Sequence, residues 1–156
     1  MKIKGKSFDK PKPVTVILPF GDEDILILCG CIPDYGPFEE MCPPPVAPKV
    51  LRPGKIESVN VQDKTFLKQV GEHAQLRTYW LIKESVKETE GLEWEKVVDN
   101  DPSTWHNLER EMTVAFGELG VSKIIKAVLR ANGLSQEIVG EARDSFLASQ
   151  LLQSVE

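Results

Sequence analysis

The sequence predicts an α+β protein with an N-terminal β-hairpin or small sheet, a proline-rich strap, and a mainly helical C-terminal bundle of about four helices. Three observations carry this prediction. Two short β-branched runs flank a turn near the N-terminus. Residues 43–48 are rich in proline, and apolar residues recur at helical spacing from residue 63 onward. The predicted segments are an N-terminal arm and hairpin (1–42), a linker or strap (43–62) and a helical domain (63–156).

The composition is that of a globular chain that can fold without a metal or a disulfide. Of its 156 residues, 41% are apolar and 28% are charged, and a chain of this length can bury a sizeable core. The acidic excess behind the net charge of −5 lies entirely in residues 61–156. Because phosphate binding needs a basic face, we expect no nucleic acid partner. No apolar run reaches the ~20 residues of a membrane span, so we expect no membrane partner and no signal peptide.

The N-terminal segment predicts a loose arm followed by a hairpin. Residues 1–12 are polar, whereas 14–18 and 25–29 are β-branched and apolar, and the turn-forming residues 19–24 lie between them. This is the pattern of two antiparallel strands. Both strands are apolar on both faces, so one face should meet either the helices or another chain.

The proline-rich segment predicts an extended connector. Residues 34–41 are expected to form one or two helical turns, with Phe38 and Met41 packed inward. The prolines that follow disfavour helix in the residues before them, and residues 43–62 show no periodicity. A polyproline ligand for an SH3-type domain is the alternative to a stiff connector.

The helical domain carries its own start and stop signals. Asp63 is a candidate N-cap for a long helix to about Lys87. At residues 79–82 almost every face of the helix is apolar, which indicates burial on several sides or an interface. Asp101 as N-cap and Pro102 at the first helical position predict the next start. The sequence predicts that this helix ends at Gly117 and Gly120. The next helix is predicted to begin at Ser122 and to end at Asn132-Gly133, and a last helix to begin at Ser135.

The residues that could carry chemistry do not form a recognisable constellation. Cys29 and Cys31 should face the same side of a strand, and with Cys42 they lack a fourth metal ligand at a recognisable spacing. Neither His73 nor His106 has an orienting carboxylate that the sequence can identify. No glycine-rich phosphate loop or nucleophile elbow is present in the sequence. We therefore predict no cofactor, no metal and no enzymatic activity.

Several short motifs together resemble a known family. They lie at residues 91–95, 101–105, 131–134 and 141–147, and the helix at 67–81 precedes them. These motifs are similar to those of the tail assembly chaperones of tailed bacteriophages, and the similarity covers most of the chain. The resemblance implies a protein that binds the tape measure protein, keeps it soluble and recruits the tail tube protein, with possible self-association.

The resemblance also implies where such a protein acts and which residues it uses. It would act in the host cell cytoplasm and be absent from the mature virion. The implied contact residues are aromatic or apolar side chains of the helical domain: Tyr79, Trp80, Trp105, Phe116, Phe146 and Leu147. Two other hypotheses remain open, a structural virion protein of the tail or connector and a small adaptor or inhibitor that binds a host protein.

Overall fold

The computed structural model describes residues 2–7, 11–54 and 56–134, and its fold is α+β, as predicted. The strands form three separate antiparallel pairs: β1 (Lys2–Ile3) with β2 (Lys6–Ser7), β3 (Val14–Phe20) with β4 (Glu23–Cys29), and β5 (Lys49–Arg52) with β6 (Ile56–Val59). The helices are α1 (Gly36–Met41), α2 (Lys64–Ser85), a 3₁₀ turn (Pro102–Thr104) and α3 (Asn107–Ala131). Within the described part of the chain, no helix is both long enough and apolar enough to cross a membrane.

The described residues contain three α-helices, where about four were predicted. Residues 107–131 consist of two helical segments that meet at a break at Gly117, and two helices were predicted there. The last predicted helix, from Ser135, lies outside the described residues. The long helix α2 and its cap are confirmed, since the Asp63 carboxylate accepts a 2.8 Å hydrogen bond from the Phe66 N–H.

The chain divides into two compact units, which we describe separately. The first contains Met1–Tyr35 and Tyr79–Leu134, and the described part of the second is Gly36–Thr78. The segments predicted from the sequence (1–42, 43–62 and 63–156) follow composition and periodicity, whereas the two units follow proximity in space.

The β3–β4 hairpin is the sheet of the first unit. Ile17 pairs with Leu26, and Gly21 has a φ of 63° at the first position of the two-residue loop, which is the pattern of a type II′ turn. The inner face is buried at Leu18 and Ile27, and α3 packs against both strands. On the outer face Ile17 and Leu26 remain exposed. One apolar face therefore meets a helix, and the other faces solvent.

The open edge of β4 is bonded to the C-terminal end of α2 and the turn that follows it. Gly30 donates its N–H to the Ser85 carbonyl (2.8 Å), and the Ser85 hydroxyl donates to the Gly30 carbonyl (2.7 Å). Two residues earlier, the Leu28 N–H donates to the Thr89 hydroxyl (3.0 Å). We call these contacts the β4–α2 junction. They give edge backbone groups partners that a lone two-stranded sheet would lack.

The end of α3 is attached to the same region by one side chain. The Asn132 carboxamide accepts from the Ile32 N–H at 2.9 Å and donates to the Val128 carbonyl at 2.8 Å. Asn132 is the stop signal predicted from the sequence, and α3 does end at Ala131. The residue therefore both terminates the helix and holds the chain that leaves β4.

The second unit has a small core below a hairpin that the sequence did not predict. Ala47, Phe66 and Val70 are buried together, with Val59 and Val61 packed against them. Within the predicted linker or strap, Lys49–Arg52 and Ile56–Val59 form β5 and β6, which the sequence did not predict. The side chains of β5 are all exposed, so this strand lacks the alternation by which a half-buried strand is recognised.

Helix α3 is interrupted at Gly117, where φ is 70° and ψ is 171°. This backbone conformation is essentially restricted to glycine. The predicted closure at Gly117 is therefore confirmed as a break, but Gly120 and Ser122 lie inside the helix, so the closure and start assigned to them were wrong. A Cβ on Gly120 would lie 2.7 Å from the Phe116 Cβ. The chain passes so close to Phe116 after the break that position 120 needs a glycine.

Replacing Gly117 should destabilise the protein, although alanine normally favours a helix. We expect Gly117→Ala to lower the free energy of unfolding by about 1–3 kcal/mol, because alanine is strained in this region. Gly71→Ala is the matched control, since Gly71 lies within α2 with no atom within 4 Å of an added Cβ. This control should raise the free energy by roughly 0.5–1 kcal/mol. Urea unfolding of both variants checks the prediction, and equal stabilisation by the two would contradict it.

Candidate functional site

The first unit contains a cleft of about 960 Å³ lined by the β3–β4 hairpin, the connection over residues 89–96, and α3. We call it the hairpin–helix cleft. Its apolar lining includes Phe20 and Ile25 from the hairpin, Trp94 from the connection, and Val114 and Phe116 from α3. The Phe20 and Phe116 rings contact each other at a centroid distance of 5.9 Å and an angle of 49°, a tilted arrangement that aromatic pairs favour.

The cleft is open to solvent along its length. Phe20 is 51% exposed and Val114 is 81% exposed, although both belong to its lining. Small-molecule sites of up to roughly 1,000 Å³ bury most of the ligand surface. A cleft with such exposed walls instead presents apolar surface to a larger partner, as grooves that receive a helix do.

The connecting wall of the cleft is attached to α3 by one carboxylate. Glu111 accepts hydrogen bonds from the Glu95 N–H at 3.0 Å and from the Lys96 N–H at 2.7 Å, one on each oxygen. A carboxylate that receives two backbone N–H groups makes stronger hydrogen bonds than a neutral acceptor would. This contact positions the half-buried Trp94 against the cleft.

The 101–105 motif secures the other end of the connection. Asp101 caps the 3₁₀ turn by accepting from the Ser103 N–H at 3.1 Å. Thr104 accepts from the Val98 N–H at 2.9 Å, and the Trp105 indole donates to the Val98 carbonyl at 3.0 Å. Trp105 is fully buried. The motif therefore ties the connection to the core instead of presenting a binding surface.

A buried cation lies over the same tryptophan. The Lys83 ammonium is 5.5 Å from the centroid of the Trp105 ring, 2.7 Å from the Glu84 carboxylate and 2.5 Å from the Asp99 carboxylate. The hydrogen bond from Lys83 is the main reason that the pKa of Asp99 lies below its usual range. The Lys83 side chain is only 4% exposed, so these two carboxylates supply the charge that its burial requires.

The rim of the cleft is acidic. Its exposed carboxylates on the connection are Glu90, Glu93 and Glu95, and the lining contains two basic residues, Lys96 and Arg110. The adjacent hairpin turn adds three more exposed acids, Asp22, Glu23 and Asp24. Among the described residues, no salt bridge involves any of these six carboxylates. In the described part of the chain, the apolar lining is therefore bordered by six acidic side chains without salt bridges, against two basic side chains in the lining.

The structure places the six predicted contact residues in different environments. Phe116 lines the cleft. Trp80 and Trp105 are core side chains, 4% and 0% exposed, so they offer no surface to a partner in this conformation. Tyr79 is half-buried in the first unit and outside the cleft lining. Two of the predicted contacts lie outside the described residues: Phe146 and Leu147.

Sequence reasoning missed most of the cleft. Phe20 was assigned to a turn, and Val114 was given no role. The available signal was an apolar residue out of phase with the residues that α3 buries, such as Leu108 and Met112. Val114 and Leu119 are such residues, at 81% and 83% exposure. Only Val114 belongs to the cleft lining.

In the described part of the chain, no group of three or more histidine, cysteine, aspartate or glutamate side chains is placed to hold a metal ion. Burial raises the pKa of the Cys29 thiol to about 11. Cys31 is exposed and lies beyond the end of β4, so the expectation that it shares a face with Cys29 was wrong. Each histidine ring contacts a backbone carbonyl, His73 that of Cys42 at 3.0 Å and His106 that of Ser103 at 2.8 Å.

Comparison with known proteins does not identify the site. No family model, curated protein or solved structure matches this chain. Its interpretation therefore rests on the chemistry of the cleft and its rim.

The Lys83–Asp99 pair predicts a pH-dependent contribution to stability. Because the folded-state pKa of Asp99 is lowered, its contribution is present above the unfolded pKa of about 3.9 and is lost as the pH falls through the folded value. Asp99→Asn should lower the free energy of unfolding by roughly 0.2–1 kcal/mol at neutral pH, a modest amount for a largely exposed carboxylate. The difference should shrink well below pH 4.

Urea unfolding at neutral pH and near pH 3 measures that contribution. Glu88→Gln is the control, because Glu88 is an exposed acid outside the described salt bridges. An effect of Asp99→Asn that is equally large at both pH values would contradict the assignment.

Proposed function

We propose that this protein is a non-catalytic binding protein, and that it acts as a tail assembly chaperone for the tape measure protein of a tailed phage. The observation that carries the proposal is the hairpin–helix cleft, an apolar surface left open to solvent in the first unit. Open apolar surface of this kind is typical of sites that bind another protein. A chaperone needs such a surface to cover the apolar face of a long helical client.

Two of the resemblance motifs support the proposal. Residues 91–95 form part of the cleft wall, and residues 101–105 anchor that wall to the core through Val98. The acidic rim supports the same function, because negative charge beside an apolar surface keeps the unoccupied protein soluble. Recruitment of the tail tube protein, action in the host cytoplasm and absence from the mature virion rest on the resemblance alone.

A structural protein of the tail or connector is the second candidate. The outer face of the hairpin favours it, since the cross-strand pair Ile17 and Leu26 is 62% and 56% exposed. A neighbouring subunit could bury such a face. Mass spectrometry of purified virions distinguishes the two functions. A stoichiometric amount of the chain in virions would favour the structural function over the chaperone.

Co-expression with a candidate tape measure protein from the same phage tests the proposal. The full chain should bring that protein into the soluble fraction, and Val114→Gln should reduce the soluble amount severalfold. Leu119→Gln is the matched control, because Leu119 is on the same helix and equally exposed but lies outside the cleft lining. An amide buried against a client without a hydrogen-bond partner costs about 1–3 kcal/mol.

Both substitutions replace exposed side chains, so circular dichroism should show that each variant is folded. Equal solubilisation by the two variants would contradict the placement of the site. A tape measure protein that stays insoluble with the unsubstituted chain would contradict the function itself.

A further inference from the structure

We propose that the hairpin–helix cleft binds an amphipathic helix whose polar face is basic, so that the site selects partner segments by charge as well as by apolar surface. This inference deepens the proposed function and rests on it, because it specifies which segments of a client the cleft would hold. It follows from the relation between the apolar lining and the charges at its border.

The lining supplies surface for an apolar stripe. Phe20 and Phe116 contact each other at one side of the cleft, and Trp94 and Val114 contribute further apolar surface. A helix that places apolar residues at positions i, i+3, i+4 and i+7 presents a continuous stripe to such a groove. The flanking positions of that helix would then face the rim.

The rim supplies the charge. Glu90, Glu93 and Glu95 are exposed along one wall of the cleft, and the acidic hairpin turn adjoins Phe20 on another. Glu111 does not share this role, because its carboxylate is already bonded to the backbone of the connection. Lysine or arginine flanks would be attracted to the free carboxylates, and an acidic flank would be repelled.

The same charges disfavour the other occupants. In a two-fold dimer through the cleft, the same surface meets itself, so the acidic rims of two copies would face each other. Nucleic acid would be repelled for the same reason. An apolar small molecule would remain largely exposed, since Val114 and Phe20 in the lining are themselves exposed.

Two synthetic peptides of about 18 residues, long enough to form a helix on binding, test the proposal. Both carry the same leucine stripe, with lysine at the polar positions of one and glutamate at those of the other. Fluorescence anisotropy should show that the full chain binds the lysine peptide at least about tenfold more tightly at low salt. That preference should decrease as salt screens the exposed charges.

Charge-reversal variants assign the preference to the rim. Glu93→Lys combined with Glu95→Lys should reduce the preference for the lysine peptide at least about fivefold, because the substitutions reverse the local charge. Glu118→Lys is the matched control, since Glu118 is an exposed acid on α3 outside the cleft lining, and it should leave most of the preference intact. Val114→Gln should weaken the binding of both peptides.

Three outcomes would overturn the inference. Equal binding of the two peptides would remove the charge selection, even if the tape measure protein is still solubilised. Binding of neither peptide would remove the helix site. A dimer seen by sedimentation and dissociated by Val114→Gln would make a second copy the occupant.

The proposed function can fail independently of this inference. If the lysine peptide binds through the cleft but no tape measure protein becomes soluble, the basic-helix site is supported and the chaperone assignment is not.

Discussion

The first unit depends on the hydrogen bonds between the edge of β4 and the end of α2. A two-stranded hairpin is marginally stable by itself, and β3–β4 contributes only two strands. Its inner face is buried against α3, but apolar packing alone does not fix the position of the strand edge. The reciprocal bonds between Gly30 and Ser85, with the Leu28–Thr89 bond beside them, supply that fixed position. The hairpin wall of the cleft is located by these contacts.

Each wall of the cleft is positioned by polar contacts. The β4–α2 junction holds the hairpin, the Glu111 carboxylate holds the connection, and the break at Gly117 sets the course of α3 beside Phe116. The walls therefore keep their positions while Phe20 of the lining remains partly exposed. Exposing Phe20 and Val114 costs the hydrophobic stabilisation that burial would give. A partner that covers these side chains would restore that stabilisation, and this is the basis of the proposed function.

The sequence predicted the elements that are defined by local chemistry. The strands of the first hairpin follow from β-branched residues, the start of α2 from the Asp63 cap, and the break in α3 from Gly117. It did not predict β5 and β6, because the side chains of β5 are all exposed and show no alternation of buried and exposed positions. It also could not separate buried from exposed aromatic residues. Trp105, just before α3, and Phe116, within it, are both aromatic residues in an apolar pattern. Only the tertiary arrangement buries Trp105 and leaves Phe116 at the cleft. The acidic residues of the rim appear in the sequence as separate clusters, and they come close together because the hairpin and the connection meet at one site.

Amide hydrogen exchange in Thr89→Val tests most directly whether the β4–α2 junction positions the cleft. The substitution keeps the shape of the side chain and removes the hydroxyl that accepts the Leu28 N–H. We predict faster exchange at Leu28 and along β4, unchanged exchange at Val128 in α3, and weaker binding of the lysine peptide in the same variant. Unchanged protection of β4, or a loosened hairpin with undiminished peptide affinity, would contradict the account.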